Sequence, residues 1–597
     1  MITTHPLART TSPALVPCAL AALAALTQLA ACARSAPDTA PVPASMPAAS
    51  PSSPAATPAV TPATRAPLPL KHAPEPTGAA ISPADLMTRL YIFADDSMMG
   101  REVGTPGNVK GTAYIAEEAR RMGLQPAGDN GTYFQVIPYS VRTFDAASKL
   151  SVDGTALTMW TDYAPMPARG TPRSLDGVQA VYGGVLGDTT RTLTRAQMAG
   201  KLVVLSVAGG GMGLPAIRSD NPLLAAAGVA IANLENVPAN VIAIYRNTSS
   251  SSFGDAGAPI PIPMFITTRA ATLLLGTAPA SATLGATGKT VRGTVGFTTT
   301  GAPARNVVAV LPGSDLRLKG QYVAIGAHND HVGAARQPVD HDSLKAFNTV
   351  MRPEGLETQV MGNPTGDQWA RISAIRDSLR TLGRSHVDTV NNGADDDGSG
   401  SVSVLEIAES MAMAPAKPAR SMLFVWHTGE EAGLLGSEWF TEHPTVPRDS
   451  IVAQLNIDMV GRGGVGDVPN GGPANLQLVG SRRLSTELGD LVETMNKARP
   501  QPFTFDYQYD AARHPQQIYC RSDHASYARY GIPVVFFTTG VHPDYHMPTD
   551  EPQYIDYTHM ATVAQFIHDI ALRVASLDHR MVVDKPKPAD PKAGCQQ

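Results

Sequence analysis

Cysteine is scarce in this chain: Cys18, Cys32, Cys520 and Cys595 are four among 597 residues. So few and so scattered, they build no disulfide framework. Cys520 reads as a free, partly buried thiol, and Cys595 as part of a polar tail. Positive charge is not in excess. Lys and Arg number 47 against 52 Asp and Glu, for a formal net charge of −5, and no basic stripe runs along the chain. That balance excludes nucleic acid as a partner. Long apolar runs are missing too. Ala14–Ala31 is roughly 18 residues and is broken by Pro17 and Thr27, with Pro13 just before it, so it does not read as a spanning helix.

What is present is an ordinary globular composition, 43% hydrophobic, in a chain too long for one core. Five regions follow from composition. Residues 1–32 read as an export signal. Arg9 precedes the apolar segment, and Leu29-Ala30-Ala31-Cys32 resembles a bacterial lipoprotein signal with a lipid on Cys32. Cleavage at a small residue of a plain signal peptide is the other reading. Ala33 after the cysteine resembles sorting to a Gram-negative outer membrane, facing the periplasm, or export. Residues 33–80, rich in Ala, Pro, Ser and Thr, read as a disordered tether. Residues 81–144 and 301–580 alternate strand and helix patterns, as a doubly wound α/β sheet does. Residues 145–300 carry short strand-like runs, Val178–Tyr182 and Leu202–Val207 among them, and an Ala-rich helix is expected at Leu223–Ala232. Residues 581–597 read as a disordered tail, Lys- and Pro-rich from Asp584.

The chemistry gathers around Ser421–Ser437, SMLFVWHTGEEAGLLGS. Met422–Trp426 is long enough for a buried strand and too short for a helix. Thr428-Gly429 ends it, and Glu430-Glu431 follow. Adjacent acids at a buried strand tip repel each other and lose hydration, a cost that a cation removes. The plain alternative is a solvated acidic turn. Four further segments place acids or histidines just past short apolar runs or at a helix start. They are Gly326–His331 (GAHNDH), Gly393–Gly400 (GADDDGSG), Asn456–Val460 (NIDMV) and Tyr545–Asp550 (YHMPTD). In an open α/β sheet the carboxyl ends of the strands share one edge, where ligands bind.

These segments, with SDHASYARYGIPVVFF at 522–537, occur in the order found in the M28 family of dizinc metallopeptidases, and the chain resembles its aminopeptidase side. The 145–300 region is similar to the protease-associated (PA) domain inserted in many such enzymes, a small β-rich lid without catalytic residues of its own. The resemblance implies an α/β fold with a mostly parallel sheet, two Zn2+ ions per chain and peptide substrates. Position by position it implies His328, Asp396, Glu431, Asp458 and His546 as metal ligands, with Asp396 between the two ions. It implies a cis bond at Asp396–Asp397. Asp330 would hold the other ring nitrogen of His328. Glu430 would be the general base for a zinc-activated water, and Tyr545 would steady the oxyanion. Asp550 is expected to steady His546.

Surplus histidines get a plainer reading. His331, His427 and His524 are expected to pack or to support the ligands. His542 rivals His546, and the Tyr-His-x-Pro-x-Asp context favours His546. Asp395 and Asp397 are expected to be solvated or to cap backbone. The segment between His331 and Gly393, with an amphipathic helix over Gln368–Leu382, is a lid or a solvated excursion. A carboxypeptidase of the same family would need an arginine clamp, with Arg462, Arg521 and Arg529 as candidates. A non-catalytic binding protein or a one-zinc glutaminyl cyclase-like enzyme on the same scaffold are the remaining alternatives.

Overall fold

Apolar runs too short for helices become the strands of one central sheet. The computed structural model describes residues 68–592 and Cys595, apart from 168–170, 189, 209–220, 248–249, 254–258, 361 and 470. The signal expected over 1–32 and the tether up to residue 67 lie outside the described residues. The strands that matter are β1 (Arg305–Leu311), β2 (Tyr322–His328), β3 (Ser421–His427), β4 (Ile451–Ile457), β5 (Asn475–Val479) and β6 (Val534–Thr538). Their order across the sheet is β1-β3-β2-β4-β6-β5. β3, β2, β4 and β6 run parallel, while β1 is antiparallel to β3 and β5 to β6. This is the doubly wound, mostly parallel architecture that the strand–helix alternation predicts.

Both faces of the sheet are covered, as a parallel sheet requires. Along β3, Met422, Phe424 and Trp426 enter one core, and Leu423 and Val425 enter another. That alternation is the period of two of a strand, read here in a run with no polar residue. Helices α1 (Pro83–Phe93), α2 (Pro106–Arg121), α3 (Gly400–Met413) and α5 (Tyr557–Ala575) supply the first core; α4 (Leu435–Glu442) supplies Phe440 to the second.

Residues 149–294 fold into a separate eight-stranded sheet with its own apolar cores. One expectation fails here. Leu223–Ala232 is not a helix: a 3-10 turn spans Pro222–Ala225 and a strand spans Gly228–Ala232. The strand pairs in parallel with Leu202–Ser206 on one side and Ile262–Ile266 on the other. Two-sided pairing and full burial outweigh the helical propensity of the alanines.

Both ends of the described chain are held more tightly than composition suggests. Residues 68–80 do not hang free: Thr77 Oγ1 donates to Glu409 at 2.7 Å, Gly78 N to Asp85 at 2.9 Å, and Leu68 packs on the main core. Cys520 is not a free thiol but is disulfide-bonded to Cys595, 75 residues on. The tail that leads there is also tied by Thr486 N, which donates to Asp584 at 2.9 Å.

Between His331 and Gly393 lie an antiparallel strand pair, Ala334–Asp340 with Val387–Val390, and between those strands a helix over His341–Met351 and another over Gly366–Arg380. The last replaces the amphipathic helix expected over Gln368–Leu382, and it buries only Ile372, with Trp369 exposed.

Candidate metal centre

The parallel strands end together. His328 closes β2 in register with His427 at the end of β3, and Gly326 faces Asn456 of β4, just before Asp458. Asp396 stands in the turn that leads into α3, and its bond to Asp397 is cis, as the family resemblance implies. That turn starts from Gly393 at φ 55°, where an added Cβ would lie 2.3 Å from the Asp396 carbonyl and 2.5 Å from the His331 ring. Only glycine fits there. His546 sits at φ 57°, a left-handed conformation uncommon for a side-chain-bearing residue.

The two carboxylate oxygens of Asp396 face two separate groups. Oδ1 lies 3.2 Å from His328 Nε2, which is in turn 3.7 Å from Asp458 Oδ1 and 4.0 Å from Glu430 Oε2. Oδ2 lies 2.9 Å from His546 Nε2, itself 3.0 Å from Glu431 Oε2. His331, Asp396, Glu431 and His546 bring ligand atoms within 4.8 Å of one another; so do His328, Asp397 and Asp458. All five residues expected to bind metal therefore meet in one place, with Glu430 beside them.

The donors fit a metal. Asp396 Oδ2 and His546 Nε2 are buried, close, and neither completes a hydrogen bond. Buried polar atoms in that condition are rare without a partner. Charge argues the same way. Asp330, Asp396, Asp397, Glu430, Glu431 and Asp458 share this region, and all are largely shielded from water. Burial first, then Glu431 and Asp458, push the Glu430 carboxyl well above its usual range. Against burial, His328 and His546 hold Asp396 well below it.

Several supporting contacts differ from expectation. His328 Nδ1 lies 3.1 Å from the main-chain carbonyl of Asp330 and 3.7 Å from its carboxylate, so the carbonyl fixes the tautomer. The Asp330 carboxylate instead accepts from Glu430 N at 3.1 Å, steadying the acidic pair. Asp550 does not touch His546. It accepts from Asp395 N at 3.0 Å and Asp396 N at 3.1 Å, and so holds the acidic turn. Asp395 and Asp397 cap backbone but are buried, not solvated. Asp397 accepts from His328 N and Gly400 N, and Asp395 accepts from Gly461 N. His542 is bound to Asp395 at 3.2 Å and stays out of the centre. His427 contacts Tyr527 and Asp523. His524 is buried, and burial pushes its pKa down to about 3, so it is a neutral packing residue.

His331 supports the ligands, as expected: Nδ1 lies 2.8 Å from Glu431 Oε1 and 3.7 Å from Asp396 Oδ2. Sequence reasoning missed the work of two residues. Ser522 donates to Asp458 Oδ2 at 2.7 Å. Arg101 is fully buried and donates to the carbonyls of Phe93, Asn329, Asn392 and Gly393, pinning the loops on either side of the centre. A serine or arginine that acts through a carbonyl or a ligand leaves no pattern in spacing.

Beside these residues lies a cavity of about 50 Å³, lined by His328, Asp396, Glu430 and Asp458. Met459, Ile518, Phe536 and Val541 give its lining an apolar part. Tyr545 and Arg521 line it too, with Arg521 Nη2 3.5 Å from the Tyr545 hydroxyl and 2.7 Å from Glu357. The insertion reaches the site at this point, since Leu356 N donates to Tyr545 O at 3.1 Å. Arg462 is bound to Asp467 and Asp544, and Arg529 pairs with Glu438 and Glu442. Neither lines the cavity.

Residues 373–571 match the model of peptidase family M28. The match takes in Asp396, Glu430, Glu431, Asp458 and His546 and begins after His328. A probable leucine aminopeptidase of Arthroderma benhamiae is 29% identical over 210 residues, which is 32% of this chain and 53% of that one. Leucine aminopeptidase 1 of Arthroderma otae is 30% identical over 204 residues, 33% of this chain and 52% of the relative. The chain thus spans about half the length of these curated relatives. Among solved structures, an aminopeptidase from Aneurinibacillus sp. strain AM-1 is 17% identical, with 85% of this chain and 98% of that one covered at a TM-score of 0.47.

Proposed function

We propose that the protein is a member of peptidase family M28, whose model matches residues 373–571, and that it is a two-zinc aminopeptidase that removes an apolar residue from the N-terminus of peptides. The observation that carries this reading is the placement of Asp396, one oxygen toward His328 and Asp458 and the other toward His546 and Glu431. A carboxylate between two half-sites is what a pair of ions needs. A one-zinc enzyme has no use for the second half-site. Two zinc ions held there would polarise the scissile carbonyl and acidify a water.

The chain's own groups do the rest. Glu430 takes a proton from the attacking water and delivers it to the leaving amine. Its place on the cavity wall beside His328, Asp396 and Asp458 suits both steps. The Tyr545 hydroxyl, 3.5 Å from the Arg521 guanidinium, donates to the developing oxyanion. Glu431 and Asp458 accept hydrogen bonds from the substrate's α-amine. The apolar lining of Met459, Ile518, Phe536 and Val541 takes the side chain of the first residue. The relatives' names, leucine aminopeptidases, support an apolar preference.

A carboxypeptidase would need a free guanidinium facing the cleft. Among the described residues lining this cavity, Arg521 is the arginine present, and it is paired with Glu357. The sheet of residues 149–294 is read as the inserted PA-like domain, and Cys32 as the lipid attachment point at a bacterial envelope. The Cys520–Cys595 disulfide supports residence in an oxidising compartment such as the periplasm. The test is a pair of substrates: leucine p-nitroanilide, with a free amine, and an N-blocked dipeptide with a free carboxylate. Hydrolysis of the first alone is expected. Hydrolysis of the second alone overturns the aminopeptidase reading.

A further inference from the structure

Away from the Asp396 centre, His341, His386 and Glu551 bring three ligand atoms within 4.8 Å of one another. Glu551 faces both rings: Oε2 lies 2.8 Å from His341 Nε2, and Oε1 lies 3.4 Å from His386 Nε2. The imidazoles stack, with centroids 4.6 Å apart and planes 20° apart.

The other ring nitrogens are already committed. His341 Nδ1 lies 3.2 Å from Asp342 Oδ1, and His386 Nδ1 lies 2.9 Å from the carbonyl of Arg384. Both of those partners are acceptors, so each Nδ1 carries the hydrogen. In a neutral ring, Nε2 is then a lone pair. The Tyr554 hydroxyl lies 3.5 Å from His341 Nε2 and can reach that lone pair, but not the Glu551 carboxylate as well. Two lone pairs facing one carboxylate call for positive charge between them: two protons, or one divalent cation. A histidine whose rear nitrogen donates to a carboxylate or carbonyl is oriented as metal-binding histidines are.

We propose that His341, His386 and Glu551 form a metal site separate from the Asp396 centre, taking a divalent cation of the zinc type. Two imidazoles and one carboxylate are a zinc donor set with a position left open. His341 and His386, though not Glu551, line a cavity of about 340 Å³, bounded also by Leu68, Leu382 and Tyr554. His341 and Glu551 are buried, and His386, with its side chain one-third exposed, gives the entry path.

The placement suggests what the ion does. His341 and His386 belong to the insertion. Glu551 follows Asp550, whose carboxylate holds the main chain of Asp395 and Asp396. A bound ion clamps the insertion onto the segment that carries His546.

The test is metal titration of the full chain, stripped with a chelator and followed by calorimetry with Zn2+. It does not depend on how many ions the Asp396 centre takes. His386→Ala and Glu551→Gln are each expected to bind one equivalent fewer than the unmodified chain, and Asp396→Asn to retain that equivalent. As a measurement that needs no variant, Zn2+ should protect His386 from carbethoxylation by diethyl pyrocarbonate. Equal stoichiometry in all the chains, or modification of His386 at the same rate with and without Zn2+, overturns the proposal.

Discussion

Glu430 and Glu431 are neighbours in sequence with different tasks in the proposed mechanism, and the difference lies in what each oxygen meets. Glu431 is reached by His546 at 3.0 Å and by His331 at 2.8 Å, in the manner of a ligand. Glu430 stands 4.0 Å from His328, its main-chain N–H held by Asp330 at 3.1 Å, and its carboxyl faces the cavity. Replacing Glu430 with Gln keeps its size and removes its proton transfer. Steady-state kinetics should show kcat lower by about 10²-fold or more, the span of general acid–base catalysis, while metal analysis shows the content unchanged. Undiminished kcat would take the base assignment away from Glu430. The acids and His546 stood out in sequence because each lies past a short apolar run or a glycine turn, and the family resemblance then implied their roles. The work of Arg101 was not, since a guanidinium bound to four carbonyls answers to backbone geometry and not to spacing.

α1, α2 and α3 meet through a buried charge cluster. The Arg89 guanidinium reaches Glu118, Glu406 and Glu409, and Arg121 adds contacts to Glu118 and Glu409. Three carboxylates against two guanidiniums leave one surplus negative charge. It falls on Glu406, whose side chain is sealed from water and whose Oε1 has no partner. Burial pushes its pKa up to about 7 against the pull of Arg89. An unfolded glutamate titrates near ~4.3, so between roughly pH 4.3 and 7 the folded state holds the extra proton. The contribution of this group is full below that window and is lost as pH rises through it. Urea unfolding at pH 5 and pH 8 should show the unmodified chain losing more stability across the interval than Glu406→Gln; equal losses would mean that Glu406 is ionised throughout. Elements were read well where a run is short and bounded, as in β3, and poorly at Gly228–Ala232. There local propensity favoured helix, and pairing with two distant strands decided otherwise. The Cys520–Cys595 bond was equally out of reach, because a pairing across 75 residues leaves no local trace.

At the scale of the molecule, one sheet edge gathers ligands from β2, β3, β4 and the loop after β6. The chain between β2 and α3 folds back over the same edge. Gly355–Glu357 leans on Tyr545 and Arg521, and His341 and His386 meet Glu551. That segment is neither a solvated excursion nor a detached flap, since it forms part of the cavity's support. The residues ahead of α1, read from composition as tether, contribute Leu68 to the larger cavity. The central claim is that Asp396 stands between two metal ions. Anomalous diffraction at the zinc edge from crystals of the zinc-loaded protein tests it most directly. The account predicts two peaks, one between His328 and Asp458 and one between Glu431 and His546, with an Asp396 oxygen on each. A single peak, or two peaks that leave Asp396 unliganded, would contradict it.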